Sequence, residues 1–555
     1  MSRKQLNRRQ LIGGATAAGL AVGAFGVGAA SAQDAPATPE ASPVALGPAI
    51  PPEITDSQTN WAYEGYDLAA TRNVQGSTIS TSTVSTLGLA WTFPITAAGA
   101  FGALTANPAV VGSTIYLQDA VSNVYAIDLD SGQSVWTKEY NLAVPSGGPN
   151  GIAAAYGNLY FPVGDGELVG LNAETGEEIW HISITGPLGE GITMAPLVYD
   201  GIVYVSTIPG SSTGFYGGGQ RGVIHAIDAA SGAVIWYFDT TTDNLWGNPT
   251  VNSGGGLWHP PSVDDEGYLY AGVGNAAPYP GAEGWPSATS RPGPNDYANN
   301  TLSFDSKNGD LRWALNVNPH DVFDLDNQLT PILTTANIAG TDTKIAISSG
   351  KHGMVVAIDR ESGKELWRRP VGKHQNDNVS DIPDTGDSLE VYPGTLGGVE
   401  TPMALANGVL YVPVINLSTF YFPTKLDAAK LDFTKGSGEL VAIDVNTGAT
   451  IWDVEIIIAP YAAATVANDV VFTAGLDGVV RAYNTADGSA VWMGKAPAGI
   501  NAPLAISGDY LLVPAGGIFA PSADTDNPAP TQANALHAFK IGAGGAATPE
   551  ASPSS

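Results

Sequence analysis

Apolar and polar residues alternate in short runs along most of the chain, and the runs break at recurring places. "NVYAI" (123–127), "VVAI" (355–358) and "LVAI" (440–443) are such runs. A period of two reads as a strand with one face turned to a core. Each run leads into Asp or Asn, three residues, Gly, three residues and Trp. The pattern stands as "DLDSGQSVW" (128–136), "NAETGEEIW" (172–180), "DAASGAVIW" (228–236) and "DSKNGDLRW" (305–313), then as "DRESGKELW" (359–367), "DVNTGATIW" (444–452) and "NTADGSAVW" (484–492). It predicts a hairpin: a strand, an Asx-started turn with Gly at the φ > 0 position, and a second strand carrying Trp. A large apolar ring repeated once per unit is best used as an anchor between neighbouring small sheets. These seven tryptophans are therefore expected to be structural.

Two fragments complete the pattern. The last strand, "ALHAFKIG" (535–542), has the first half of a unit and no Trp after it. The first, "LGLAWTFPI" (87–95), has Trp91 and no hairpin before it. Joined, they make an eighth unit, and a ring sealed in this way removes its open sheet edges. The expected fold is all-β, an eight-bladed β-propeller with tryptophan-docking repeats, closed by pairing of the N- and C-terminal strands. A linear solenoid would instead end in two separate caps. Spacings of 40 to 85 residues between successive repeat tryptophans predict long insertions in several blades, and insertions are where such rings carry function.

The ends change the picture. Residues 1–32 have a basic start, an Ala/Gly-rich core and Ala30-Ser31-Ala32 as a cleavage site, which reads as a signal peptide. Arg8-Arg9 ahead of Gln10-Leu11-Ile12 fits twin-arginine export, so an extracellular, cell-envelope or periplasmic location is expected. No other run is long and apolar enough to span a bilayer as a helix. "ATPEASP" occurs at 37–43 and again at 547–553. Such segments cannot bury a core, so residues 33–59 and 543–555 are expected to be disordered tethers around a propeller spanning 60–542.

Losing Arg3, Lys4, Arg8 and Arg9 with the signal takes the formal charge from −30 to −34. A balance this acidic argues against nucleic acid or an anionic membrane surface as partner. With no cysteine, disulfides, thiolate metal sites and covalently attached c-type haem are excluded.

One stretch carries candidate chemistry. In "NPHDVFDLDNQ" (318–328), Asp321, Asp324 and Asp326 lie within six residues. Like charges this close repel unless they are solvated or share a cation, and a solvated turn and a metal site are both open readings. Alternation would put Asp324 and Asp326 on one face of an extended segment. Asp321 falls outside that set and is expected to be replaceable.

The repeat resembles the tryptophan-docking hairpin of the pyrroloquinoline quinone (PQQ) dehydrogenases, a hairpin also used by non-catalytic propellers that assemble outer-membrane proteins. Other segments are similar to the quinoprotein alcohol dehydrogenases in the same order: "NWAYEGYDLAATR" (60–72), "GGGLWHPPSVDDEGYLYAGVGNAAP" (254–278), "NPHDVFDLDNQ", "SGKHGMVVAIDR" (349–360) and "GGVETPMALANGVLYVPV" (397–414). The resemblance spans 60–542 and implies roles for particular residues. Trp258 would be the ring on which PQQ stacks, Lys351 would hydrogen-bond a quinone oxygen, and Thr193 would touch the cofactor rim. Asn275, Asp324 and Asp326 would ligate the metal. Asp324 would also be the catalytic base, and Asp326 the further carboxylate of the lanthanide-using branch. Oxygen donors of this kind suit Ca²⁺ or a lanthanide ion.

The chain departs from the family at three places. Gly217 stands where a glutamate ligand is expected, with Gln220 as a neutral alternative nearby. The adjacent-cysteine disulfide that often covers PQQ is impossible here. Glu400-Thr401 replaces the Asn-Trp before "PM".

The resemblance implies an exported oxidoreductase acting on an alcohol or aldehyde, with PQQ and Ca²⁺ or a lanthanide as cofactors. A separate acceptor, such as a cytochrome or a quinone, would take the electrons. The alternative is a non-catalytic propeller serving as a binding or assembly scaffold.

Overall fold

The structure, a computed structural model, describes residues 46–55, 59–211, 214–518 and 533–544. The expected signal peptide, most of the expected N-terminal tether and most of the C-terminal one lie outside the described residues.

Eight sheets repeat one plan among those residues: four antiparallel strands in which chain neighbours pair. One example runs Ala109–Val111, Thr114–Gln118, Val124–Asp128, Ser134–Lys138. The sheet built on Thr465–Ala467 gains a fifth, parallel strand from Asn73–Val74. The sheet holding the C-terminal strand takes its outer strand from the other end of the chain. Leu87–Pro94 pairs antiparallel with Ala535–Ile541, from Leu87 opposite Ile541 to Pro94 opposite Ala535.

The repeat tryptophans, with Trp91, all do one thing. Each indole Nε1 donates to a carbonyl of another sheet, at 2.8 to 3.1 Å: Trp91 to Leu129, Trp136 to Ala173, Trp180 to Ala229 and Trp236 to Ser306. Trp313 reaches Arg360, Trp367 reaches Val445, and Trp452 reaches Thr485. Trp492 donates to Leu87, on the strand Leu87–Pro94. In all eight outer strands the residue before the tryptophan is skipped in the pairing register. A bulge of this kind turns the next side chain out of the strict alternation.

The repeat glycine has two reasons to be glycine. At Gly363 φ is +69°, and a Cβ there would stand 2.6 Å from the Trp313 ring. Backbone freedom and a flat aromatic neighbour both exclude a side chain. Asp359 completes that turn, its Oδ1 accepting from Ser362 N at 2.7 Å.

The opening segment is bound into the core. Arg72 is fully buried and donates to the carbonyls of Glu64, Ala464 and Leu504 and to the side chains of Asn107 and Thr465. One guanidinium thus joins stretches that lie far apart in sequence. Residues 46–55, inside the stretch expected to be a tether, make defined contacts. Glu53 carboxylate oxygens accept from Tyr156 N at 2.9 Å and Gly157 N at 2.7 Å, and Ala49 O accepts from Asp200 N at 2.7 Å. No helix of the described residues is long and apolar enough to cross a membrane.

Candidate active site

Connections belonging to all eight sheets line one cavity of about 380 Å³, whose lining includes Thr105, Gly148, Tyr216, Trp258, Asp324, Lys351, Glu400, Tyr461 and Asn501. A volume near the lower end of the small-molecule range, about 300–1,000 Å³, with aromatic walls and a few polar groups, is what a ligand site needs.

The acidic loop forms one wall, between the strands Leu311–Asn316 and Ile332–Ile338. It is not an extended segment. Asp324 has φ = +66°, a left-handed conformation uncommon for a residue with a Cβ. Strict alternation therefore does not set where its side chains point, yet Asp324 and Asp326 still meet at one group. Lys351 Nζ lies 3.1 Å from Asp324 Oδ2 and 3.5 Å from Asp326 Oδ2.

Asp321 corrects the expectation of a replaceable residue. It is buried, and its two oxygens accept from Phe323 N at 2.9 Å and Leu325 N at 2.8 Å. Asp321 fastens the turn that presents Asp324. The Arg291 guanidinium donates to the Asp321 carbonyl at 2.7 Å and holds the base of the loop.

Electrostatics follow from burial. Desolvation would lower the Lys351 ammonium, but Asp324, Asp326 and Glu400 outweigh it and hold it well above the usual lysine value. The Asp326 carboxyl is pushed well up by burial and by Asp324, with Lys351 pulling the other way. Glu400 is raised to about 7, chiefly by desolvation, and Lys351 opposes that rise.

The other residues named from the sequence are placed as follows. Trp258 lines the cavity. Thr193 lines an adjoining chamber of about 240 Å³ that shares Phe101, Gly147 and Phe215 with the main cavity. Asn275 is buried and is not among the residues lining the cavity; its neighbour Gly274 backs onto Trp258, where a Cβ would stand 2.9 Å from Nε1. Gln220 is engaged by its own loop and a neighbouring one, accepting from Gly217 N at 2.8 Å and donating to Leu188 O at 3.3 Å. It does not stand in for the glutamate.

Several lining residues carried no signal in the sequence. Thr395 donates its hydroxyl to Asp324 Oδ2. Gln328 donates to Glu400 Oε2 at 3.4 Å. His259 Nδ1 pairs with Glu64 Oε1 at 2.7 Å, which ties the opening segment to the Trp258 stretch. Glu400 and Thr401, both lining the cavity, were marked in the sequence as departures from the family pattern.

Several buried oxygens on and near the acidic loop lack a hydrogen-bond partner, although the Lys351 ammonium stands 3.5 Å from Asp326 Oδ2. Asn275 Oδ1, Asp324 Oδ1 and both Asp326 carboxylate oxygens are buried without a hydrogen-bond partner. Buried acceptors left this way are costly. An all-oxygen donor set fits a hard cation. Among the described residues no three His, Cys, Asp or Glu side chains gather as a metal cage, so a cation in the cavity would rest on the carboxylates of Asp324 and Asp326, and Asn275 is not among the residues that line it.

The family profile described as "Glucose/ethanol/alcohol dehydrogenase, beta-propeller domain", of the PQQ repeat, matches residues 61–378, more than half of the chain. The chain belongs to this family. Its fold is the all-β propeller of these dehydrogenases. A second profile, that of the outer membrane protein assembly factor BamB, matches residues 425–526.

Relatives of the PQQ family match about four-fifths of the chain. The chain is 27% identical over 509 residues to the quinohemoprotein alcohol dehydrogenase of Comamonas testosteroni, covering 79% of this chain and 69% of that one. It is 25% identical over 520 residues to the lanthanide-dependent methanol dehydrogenase of Methylacidiphilum fumariolicum (strain SolV), covering 79% and 81%. Among solved structures, the Comamonas enzyme superposes with a TM-score of 0.74 at 24% identity, over 89% of this chain and 82% of that one. A europium-containing methanol dehydrogenase gives 0.71 at 22%, over 88% and 99%. At these identities the structural likeness speaks for the fold.

Proposed function

We propose that this chain is an exported quinoprotein that oxidises a primary alcohol or an aldehyde, using PQQ with Ca²⁺ or a lanthanide, and hands its electrons to a separate acceptor such as a cytochrome or a quinone. The observation that carries the reading is Asp324. One of its oxygens is held by Lys351 and Thr395, while the other is buried without a hydrogen-bond partner, on a residue that lines the cavity. A carboxylate with one oxygen fixed and the other unpartnered is suited to take the hydroxyl proton of a substrate.

PQQ and its metal, when bound, would supply the electrophile that accepts the hydride. Asp324 and Asp326 would hold the metal, with Asn275 the further ligand that the resemblance implies; Trp258 would carry the flat ring, and Thr193 would meet its rim. Lys351 offers a fixed positive charge beside the carboxylates, where negative charge on a reduced ring would need a donor. The absence of cysteine leaves no site for a covalent c-type haem, hence the separate acceptor.

The fold underneath is read as eight blades closed into one ring. Its supports are the eight indole bonds and the pairing of Leu87–Pro94 with Ala535–Ile541. Export is read from Arg8-Arg9, outside the described residues, with residues 1–32 removed and 33–59 and 543–555 flanking a propeller of 60–542. Replacing both arginines by lysine should strand the precursor inside the cell; unchanged secretion would exclude that route.

The second reading, a scaffold without catalysis, is favoured by Gly217 at the glutamate position and by the BamB profile on residues 425–526. Titrating the protein with PQQ in the presence of Ca²⁺ or La³⁺, followed by absorbance, separates the two. A saturable band that needs the metal supports the quinoprotein. No band with either ion supports the scaffold.

A further inference from the structure

We infer that Phe215 is the second wall of an aromatic clamp, facing Trp258 across a slot for one flat conjugated ring. The inference rests on the quinoprotein reading and assigns to Phe215 the covering role that a disulfide cannot play in a chain without cysteine.

Three observations carry it. The Phe215 and Trp258 rings are near parallel, 24° apart, with centroids separated by 6.2 Å. Rings in direct contact need one van der Waals spacing of about 3.5 Å, and an intervening ring needs two, about 7 Å in all. A centroid separation of 6.2 Å lies within the range of about 4.5–7 Å for an offset aromatic contact, so a flat ring enters between them only if Phe215 moves outward, and Phe215 is 44% exposed.

Glycines make the space. A Cβ at Gly147 would stand 2.5 Å from Phe215 Cζ, and one at Gly210 would stand 2.2 Å from Phe215 Cδ1. The next residue, Gly148, backs the opposite wall: its Cβ would lie 2.9 Å from Trp258 Cζ3. Consecutive glycines in "PSGGPN" thus touch one ring each, and any side chain there would fill the edge of the slot.

The rim is polar and unsatisfied. Trp258 Nε1 and Thr193 Oγ1 are both buried without a partner, and Thr193 Oγ1 would lie 3.1 Å from a Cβ on Gly148. Two hydrogen-bond donors at the edge of an apolar slot select a planar ligand with acceptor atoms on its perimeter. A quinone ring system has that chemistry, and an aliphatic alcohol does not.

The test is equilibrium titration of the full-length exported protein with PQQ plus Ca²⁺ or La³⁺, read by absorbance and requiring no turnover. Phe215→Ala should raise the dissociation constant at least about tenfold, as loss of one stacking partner does. Phe215→Trp should stay within a few-fold of wild type. Gly147→Val, which keeps Phe215 but drives its ring aside, should weaken binding as Phe215→Ala does. Melting temperatures of the Phe215 variants should match wild type, because the ring is largely exposed. If wild type binds and Phe215→Ala binds equally well, the clamp is overturned while the quinoprotein reading stands. If wild type itself binds no quinone, both fall.

Discussion

Lys351 Nζ stands 3.1 Å from Asp324 Oδ2, and the same ammonium reaches Asp326 Oδ2 at 3.5 Å. All three side chains are nearly or fully buried. In the protein alone, the cation shared by the acidic loop is this lysine. Lys351→Met would leave two carboxylates in a low-dielectric wall with no counter-charge. Breaking a buried pair from one side costs about 3–5 kcal/mol. Denaturant unfolding should show a loss of that order, and Lys351→Met combined with Asp326→Asn should recover part of it.

Asp321→Ala should be costly, although the residue never touches the cavity. It removes both acceptors of the Phe323 and Leu325 amides and frees the turn that holds Asp324 at φ = +66°. Leaving buried amides unpaired costs about 1–3 kcal/mol each. The variant should unfold at lower denaturant, and its turnover should fall more than its stability, because Asp324 loses its place.

Glu400 gives a pH dependence with a definite sign. Its folded value, about 7, lies above the ordinary 4.5. Below about pH 4.5 the folded and unfolded chains both hold this proton, and the favourable contribution is fully present. Between there and pH 7 the folded state alone holds it, so stability falls as pH rises, and above 7 the contribution is gone. Glu400→Gln carries no such proton. The melting temperature of the variant minus that of wild type should therefore grow from pH 5 to pH 8. A difference that stays flat would place Glu400 in a solvated environment.

The seam can be compared with an internal joint. Trp492 donates to Leu87 at 3.1 Å, as Trp136 donates to Ala173 at 3.1 Å. Trp→Phe at either site removes one hydrogen bond, about 1 kcal/mol. The two variants should lose similar stability if the ring is closed. Deleting 87–94 should cost far more, by baring the edge of Ala535–Ile541. A free Trp492→Phe and a harmless deletion would both mean that the ends are not joined.

The parts of the molecule that repeat were legible in its sequence. Trp, Gly and Asp at fixed spacing report contacts made once per sheet, and the two half-units at 87–95 and 535–542 were read as partners, as the pairing of Leu87–Pro94 with Ala535–Ile541 has them. Asp324, Lys351 and Trp258 were legible by resemblance. Thr395, Gln328 and Phe215 were not, since each lies outside the repeat and gains its role only where the sheets converge. Asp321 was misjudged for a physical reason. The alternation rule holds for extended backbone, and a left-handed Asp324 breaks it.

The central claim, that Asp324 is the base of a quinone-dependent alcohol oxidation, is tested most directly by one comparison. Wild type and Asp324→Asn are loaded with PQQ and Ca²⁺ or La³⁺, and dye-linked oxidation of a primary alcohol is followed. An amide cannot take up the hydroxyl proton at neutral pH, so the variant should keep bound quinone and lose about 10²–10⁴-fold in rate. Equal rates in the two proteins, or no turnover by quinone-loaded wild type, would contradict it.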